Sequence, residues 1–177
     1  MKKTAFTLIT LLSASVFLFA QKDEKEKIVA YSNISEFGLM TVSHQSIAFE
    51  ATTVQGLSIK QKHHIGLGIG IGYSMPRYDE SGYIPLFVNY RFYFKPDAKI
   101  SPHITASIGG LIVEAWKEYG IYSSFTMGFK VRTFSFSSGF SFMPMPLSRG
   151  SYMFDMGQPP PDWNYPFGIT LKFGFVF

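Results

Sequence analysis

The chain is predicted to be all-β, an eight-stranded antiparallel up-and-down transmembrane β-barrel. Three observations predict it. The segment 165–177 reads Y-P-F-G-I-T-L-K-F-G-F-V-F, with Phe167, Ile169, Leu171, Phe173, Phe175 and Phe177 on alternate positions and Gly168, Thr170, Lys172 and Gly174 between them. One face of such a strand suits hydrocarbon and the other tolerates water, the period-2 pattern of a membrane-spanning β-strand. Similar alternation recurs upstream. Finally, aromatic residues make up 18% of the chain, with 19 Phe, against 16% charged; that Phe needs an apolar environment outside a single small core.

The N-terminal segment comes first. Lys2 and Lys3 precede an apolar run, 5–19, that closes on Ala20 before the polar 21–27. This order matches the n-region, h-region and cleavage site of an export signal, so 1–20 is read as a signal peptide, 21–30 as a polar N-terminal segment and 31–177 as the barrel. The run is too short and too rich in Ser and Thr for a spanning helix, and no stretch after Ala20 approaches the roughly 20 apolar residues one needs. Leu18, at the minus-three position, leaves the exact cut open. Cleavage there removes two of 16 basic residues and no acidic one, so 14 face 12 and the net charge is +2. That is too little to argue for nucleic acid. The absence of cysteine excludes disulfides, thiolate metal sites, a Cys nucleophile and an acylated N-terminal Cys.

Eight period-2 segments follow: 31–41, 46–60, 63–74, 82–95, 99–113, 119–132, 134–143 and 165–177. Each is long enough for a tilted crossing of roughly 9 to 11 residues. With an even number, both ends of the barrel chain lie on the periplasmic side. The connections then sort by length. Residues 61–62, 96–98 and Thr133 are short periplasmic turns, and 42–45, 75–81, 114–118 and 144–164 are outward loops.

The two faces of each segment carry different chemistry. Phe37 and Leu39, Ile47 and Phe49, Ile65 to Ile71, Leu86 to Phe94, Ile104 and Ile108, Phe125 and Phe129, Phe136 and Phe140, and Ile169 to Phe177 are assigned to lipid, with no charge among them. Glu36, Glu50, Lys60, Arg91, Lys95, Lys99, Lys130, Arg132 and Lys172 fall on the opposite parity. The distinction matters because Lys or Arg facing lipid at mid-bilayer costs about 2 to 4 kcal/mol. In the third segment Ile65, Leu67, Ile69 and Ile71 alternate with Gly66, Gly68, Gly70 and Gly72. A glycine face suits a narrow lumen. The run lacks the G-x-G-x-x-G spacing and the following helix of a nucleotide-binding loop.

The Gly-alternating H-I-G-L-G-I-G-I-G-Y, the I-P-L-F-V-N-Y-R-F-Y-F and S-P-H-I-T-A-S-I-G-G segments and the terminal F-G-F-V-F together resemble the small eight-stranded outer-membrane β-barrel family of Gram-negative bacteria. The resemblance covers essentially the whole chain after Ala20. It implies insertion in the cell outer membrane, contact with outer-membrane lipid, and delivery by the barrel-assembly machinery, for which Phe173, Phe175 and Phe177 resemble the C-terminal assembly signal. It carries over no catalytic residue.

Candidate functional residues fall in two places. On the lumen face Glu36 and Glu50 are expected to meet Arg91, Lys130 and Lys172 in a polar network, since an eight-stranded barrel is just wide enough to be filled by side chains. Buried charge is tolerated when paired, so a plugged interior is the simple reading and a narrow pore, transport path or proton relay the alternative. Outside, the long loop offers Met153, Phe154, Pro160 and Trp163 as an extracellular binding surface of adaptable and stiff side chains. The competing reading places Tyr152, Trp163 and Tyr165 in an aromatic girdle.

Asp79, Glu80, Glu114, Glu118, Asp155 and Asp162 against Arg77, Lys117 and Arg149 leave the outer loops at net −3, which disfavours a dedicated grip on anionic lipid A phosphates. His44-Gln45-Ser46 has the H-x-S spacing of the lipid A deacylase barrels, with Glu50 or Glu114 as an orienting acid. It joins the first two segments and is followed by Ile47, whereas that family carries the motif late and followed by Asn. A polar loop is the better account. His63-His64 sits at a turn with no third ligand near in sequence.

The expectation is therefore a monomeric outer-membrane barrel with no cofactor, metal, nucleic acid or catalytic role. Its outer loops act in recognition or adhesion, or the barrel serves membrane integrity. The alternatives are a narrow pore, a rim hydrolase acting on lipid A, and a soluble lipocalin-like carrier with its Phe stripes turned inward.

Overall fold

The computed structural model describes residues 28–42, 46–75, 81–113, 118–143 and 167–177. They form eight strands: β1 (Val29–Val42), β2 (Ser46–Ile59), β3 (His63–Met75), β4 (Ser81–Tyr93), β5 (Ile100–Val113), β6 (Glu118–Val131), β7 (Phe134–Phe142) and β8 (Phe167–Val176). Each pairs antiparallel with its neighbour in sequence, and β8 closes the ring on β1 from Ile34↔Val176 to Thr41↔Ile169. Asn33 and Phe177 extend that seam by exchanging both backbone hydrogen bonds at 2.8 Å. Closure removes the free edge strands of an open sheet, the condition for a sheet to cross hydrocarbon.

The alternation read from the sequence is the alternation of the barrel wall. Along β8 exposed and buried positions strictly alternate from Phe167 to Gly174. In β3 the outward Ile65, Leu67, Ile69 and Ile71 are 48 to 71% exposed while Gly66, Gly68 and Gly70 are buried. The expected outward rows of all eight strands are turned away from the lumen. Aliphatic and aromatic side chains thus cover the outside of the ring, a surface suited to lipid and not to water. A lipocalin-like arrangement with Phe stripes inward is not the one this chain adopts.

The glycine face of β3 has a steric origin at two positions. A side chain at Gly68 would overlap the Phe87 ring, and one at Gly72 would overlap Tyr83. Both rings come from β4 and lie over these glycines of β3, so the bulk missing from one strand is supplied by the next.

Three tight turns lie at the end of the barrel where β1 begins and β8 finishes. In the first, the Lys62 N–H donates to the Ile59 carbonyl at 3.0 Å, with Lys60 at φ 50° and Gln61 at φ 54°. Positive φ at both central residues is the type I′ geometry that matches strand twist, here built without glycine. The second turn, 94–99, is held by the Ala98 N–H donating to the Lys95 carbonyl at 3.2 Å. Arg132, at φ 57°, makes the third with Thr133. Lys60, Lys95, Lys99 and Arg132 therefore sit in exposed turn and rim positions, not on lumen-facing strand positions as expected. Alternation alone overran the strand ends because a period-2 count registers neither the reversal of φ at Lys60 and Arg132 nor the bend over 94–99.

Candidate functional site

The lumen is the one place where the described residues gather charged side chains out of water. Its outer part holds a three-member cluster. The Tyr122 hydroxyl of β6 donates to Glu50 Oε1 of β2 at 2.9 Å, and Lys172 Nζ of β8 donates to the same oxygen at 3.2 Å and to the Tyr122 hydroxyl at 3.1 Å. In a ring of eight, β2 and β6 stand opposite each other. The cluster therefore spans the lumen from wall to wall. The Phe87 ring packs 5.0 Å from that of Tyr122.

Toward the loop end the large side chains of the lumen are apolar or aromatic, with Ser74, Ser141 and Thr170 buried among them. Met40, Ala48, Tyr83, Leu111, Val113 and Met143 are all at most 5% exposed, and with Phe87 and Tyr122 they belong to one packed cluster. Toward the tight-turn end it is polar. Arg91 of β4 donates through Nη2 to Glu36 Oε1 of β1 and through Nη1 to Ser135 Oγ of β7 at 3.3 Å, with the Arg91 side chain 1% and the Glu36 side chain 6% exposed. Asn89 donates to Ser107 at 2.9 Å nearby. His64 and His103 are buried at the same end, with the Tyr93 ring 5.5 Å from that of His103.

Both ion pairs are charge-assisted and buried, which is the arrangement that low-dielectric surroundings demand. Removing one member of either pair leaves an uncompensated charge, whereas removing both restores neutrality. What the arrangement does is tie β1, β2, β4, β6, β7 and β8 together through the lumen, stiffening a ring whose backbone bonds act only between adjacent strands. Among the described residues no group of three or more His, Asp or Glu side chains is placed to hold a metal ion.

The structure brings four of the five expected lumen residues into two separate pairs, Glu36 with Arg91 and Glu50 with Lys172. Lys130 joins neither. Its Nζ lies 4.8 Å over the Tyr93 ring, at the tight-turn mouth of the lumen. Met153, Phe154, Pro160 and Trp163 lie outside the described residues. Phe173, Phe175 and Phe177 occupy the outward row of β8 and its continuation. Phe173 stacks on Phe37 at 5.9 Å, Phe175 meets Phe134 edge-on at 5.0 Å, and Phe177 stacks on Phe175 at 6.2 Å. Sequence reasoning missed Tyr122 and Ser135. The signal for Tyr122 was present, since it shares the parity of Lys130 on β6.

No protein-family model and no curated protein sequence matches the chain. Solved structures do. The crystal structure of the outer membrane enzyme PagL superposes with a TM-score of 0.56 at 9% identity, covering 80% of this chain and 97% of that one. That of Neisserial surface protein A gives 0.53 at 10% identity, covering 85% and 96%. A de novo designed transmembrane β-barrel gives 0.54 at 7% identity, covering 82% and 95%. At these identities the likeness is one of fold, and the fold is that of an eight-stranded transmembrane barrel.

Proposed function

We propose that the protein is an integral outer-membrane barrel, exported by its N-terminal segment, whose lumen is closed and whose activity lies in its outer loops or in membrane integrity. One observation carries this reading: the outward row of every strand is mostly apolar and carries no charge, while two buried ion pairs and a packed aromatic and aliphatic cluster occupy the inside. An apolar exterior selects hydrocarbon as the surrounding solvent. A filled interior disfavours passage of solutes, because a water path would have to displace Tyr83, Leu111 and Met143 and separate a cross-lumen hydrogen-bonded cluster.

With the lumen occupied, recognition or adhesion falls to the loops, for which a rigid barrel is a platform. Residues 144–164, with Met153, Phe154, Pro160 and Trp163, are the segment we favour for an extracellular partner. The barrel acts as a monomer, and we assign it no catalytic step.

The test is to express the chain in a Gram-negative host, isolate outer membranes, and compare heated with unheated samples on a gel before and after external protease. Membrane association, a heat-dependent mobility shift and clipping confined to the loops are expected. A protein recovered from the periplasm in solution, with no shift, would overturn the reading. Scrambling 144–164 then separates the two roles: a recognition protein still inserts but loses its partner, and a membrane-stiffening one loses nothing. Planar-bilayer recording of the purified barrel is expected to show no steady conductance.

A further inference from the structure

The three tight turns carry Lys60, Lys62, Lys95, Lys99 and Arg132, all exposed, and one acidic side chain, Asp97. The ion pairs among the described residues both lie in the lumen and use none of these five cations. Their backbones are held by turn and strand hydrogen bonds, including Lys60 N–H to the Ile28 carbonyl at 2.7 Å and Tyr93 N–H to the Lys62 carbonyl at 2.8 Å. The charge is therefore mounted on a fixed ring and not on a loose tail.

An aromatic layer lies next to this ring on the barrel wall. Phe92 meets Phe94 edge-on at 5.1 Å and His63 at 5.1 Å, and Phe134 meets Phe175 at 5.0 Å, with Phe94 and Phe134 about half exposed. Aromatic belts of transmembrane barrels mark the boundary between hydrocarbon and headgroups. Cations one to five residues beyond the rings stand at the level of lipid phosphates. The turns are too short to carry them much farther, the longest being 94–99.

We propose that this basic rim is a binding surface for anionic phospholipid headgroups, of the phosphodiester kind carried by phosphatidylglycerol, in the leaflet nearest the tight turns. The inference rests on the membrane-barrel reading above. Each cation near an anionic membrane surface favours association by about fivefold, with the attraction fading over a screening length of about 10 Å at 0.1 M salt. The opposite rim differs: its loop sequences sum to net −3. The barrel is thus polarised along its axis, and headgroup charge binds one end of it.

The experiment uses the chain without 1–20, refolded into zwitterionic vesicles that hold trace spin-labelled phosphatidylglycerol or spin-labelled phosphatidylcholine. Electron spin resonance then gives the relative association of each lipid with the barrel. We expect a several-fold preference for phosphatidylglycerol at low salt, lost at about 1 M salt. It is also expected to be lost when Lys60, Lys62, Lys95, Lys99 and Arg132 are all changed to Gln. Changing Arg77, Lys117 and Arg149 to Gln leaves it intact. Equal association of the two lipids at low salt, or a preference that survives the fivefold change, overturns the proposal. The salt titration of the unaltered protein stands even if the variant fails to fold. A heat-shift gel on the same vesicles keeps the two readings apart: no insertion defeats the barrel itself, while insertion without lipid preference defeats only the rim. If co-sedimentation with peptidoglycan sacculi is lost in the variant and the lipid preference is not, the rim binds cell wall and the lipid proposal is wrong.

Discussion

Tyr122 donates its hydroxyl hydrogen bond to Glu50 across 2.9 Å, joining residues 72 positions apart on opposite walls of the ring. The same Glu50 oxygen accepts from Lys172, 122 positions away, and Lys172 also donates to Tyr122. Each member touches the other two, so the cluster is a closed polar triangle inside the lumen. Changing Tyr122 to Phe keeps the ring against Phe87 but takes one donor from a buried carboxylate. The expected loss is about 1 to 3 kcal/mol of unfolding free energy, read from the urea midpoint in detergent or vesicles. An unchanged midpoint would mean that the hydroxyl contributes nothing to the cluster.

The Glu36 and Arg91 pair calls for a double-mutant cycle. Arg91→Met leaves Glu36 buried and unpaired, and Glu36→Gln leaves Arg91 in the same state; each is expected to cost about 3 to 5 kcal/mol. The double change removes both charges and is expected to cost clearly less than the sum of the two. Strict additivity would show that the two side chains do not interact in the folded barrel.

Packing between β3 and β4 makes a steric prediction. Gly68→Ala places a methyl group where the Phe87 ring lies, and overpacking of this kind costs about 1 to 3 kcal/mol. Adding Phe87→Leu is expected to recover part of that loss. If Gly68→Ala alone folds with undiminished stability, the ring does not rest on that strand.

The outward rows are tested by charge. Leu171→Arg on the lipid face of β8 is expected to lower folding free energy by about 2 to 4 kcal/mol in vesicles, the cost of a basic side chain near the bilayer midplane. Lys172, its neighbour in sequence, points its charge the other way, into the lumen, where it pairs with Glu50. A neutral outcome for Leu171→Arg would reverse the assignment of faces.

At the first turn the backbone holds Lys60 and Gln61 at positive φ, a conformation that costs ordinary L-residues about 1 to 2 kcal/mol each. Replacing the two with Asn-Gly, the dipeptide that type I′ turns prefer, is expected to raise the unfolding midpoint by an amount equivalent to about 1 kcal/mol. A fall in stability would mean that Lys60 or Gln61 makes a side-chain contact worth more than the strain.

Most of the architecture was legible in the residues. Ile65 to Ile71 against Gly66 to Gly72, and Phe167 to Phe177 against Lys172, declare which side of each strand meets lipid. The tight turns were found but drawn too short, because Lys60, Lys95, Lys99 and Arg132 keep the polar parity while the backbone leaves the strand. The lumen charges were also found, yet which would meet was not. Arg91 and Lys130 share a face and a charge, but Arg91 reaches Glu36 while Lys130 rests over Tyr93.

What the sequence determined by itself was therefore everything that depends on neighbours along the chain: strand periods, their faces, their number, and the chemistry of each wall. A two-residue repeat needs no knowledge of any other strand. Only the tertiary structure decided the partners across the lumen. Contacts between Glu36 and Arg91, or among Glu50, Tyr122 and Lys172, depend on the stagger of strands around the closed ring, which sets the height of each inward side chain along the barrel axis. That stagger is a property of the whole ring, and no single strand encodes it.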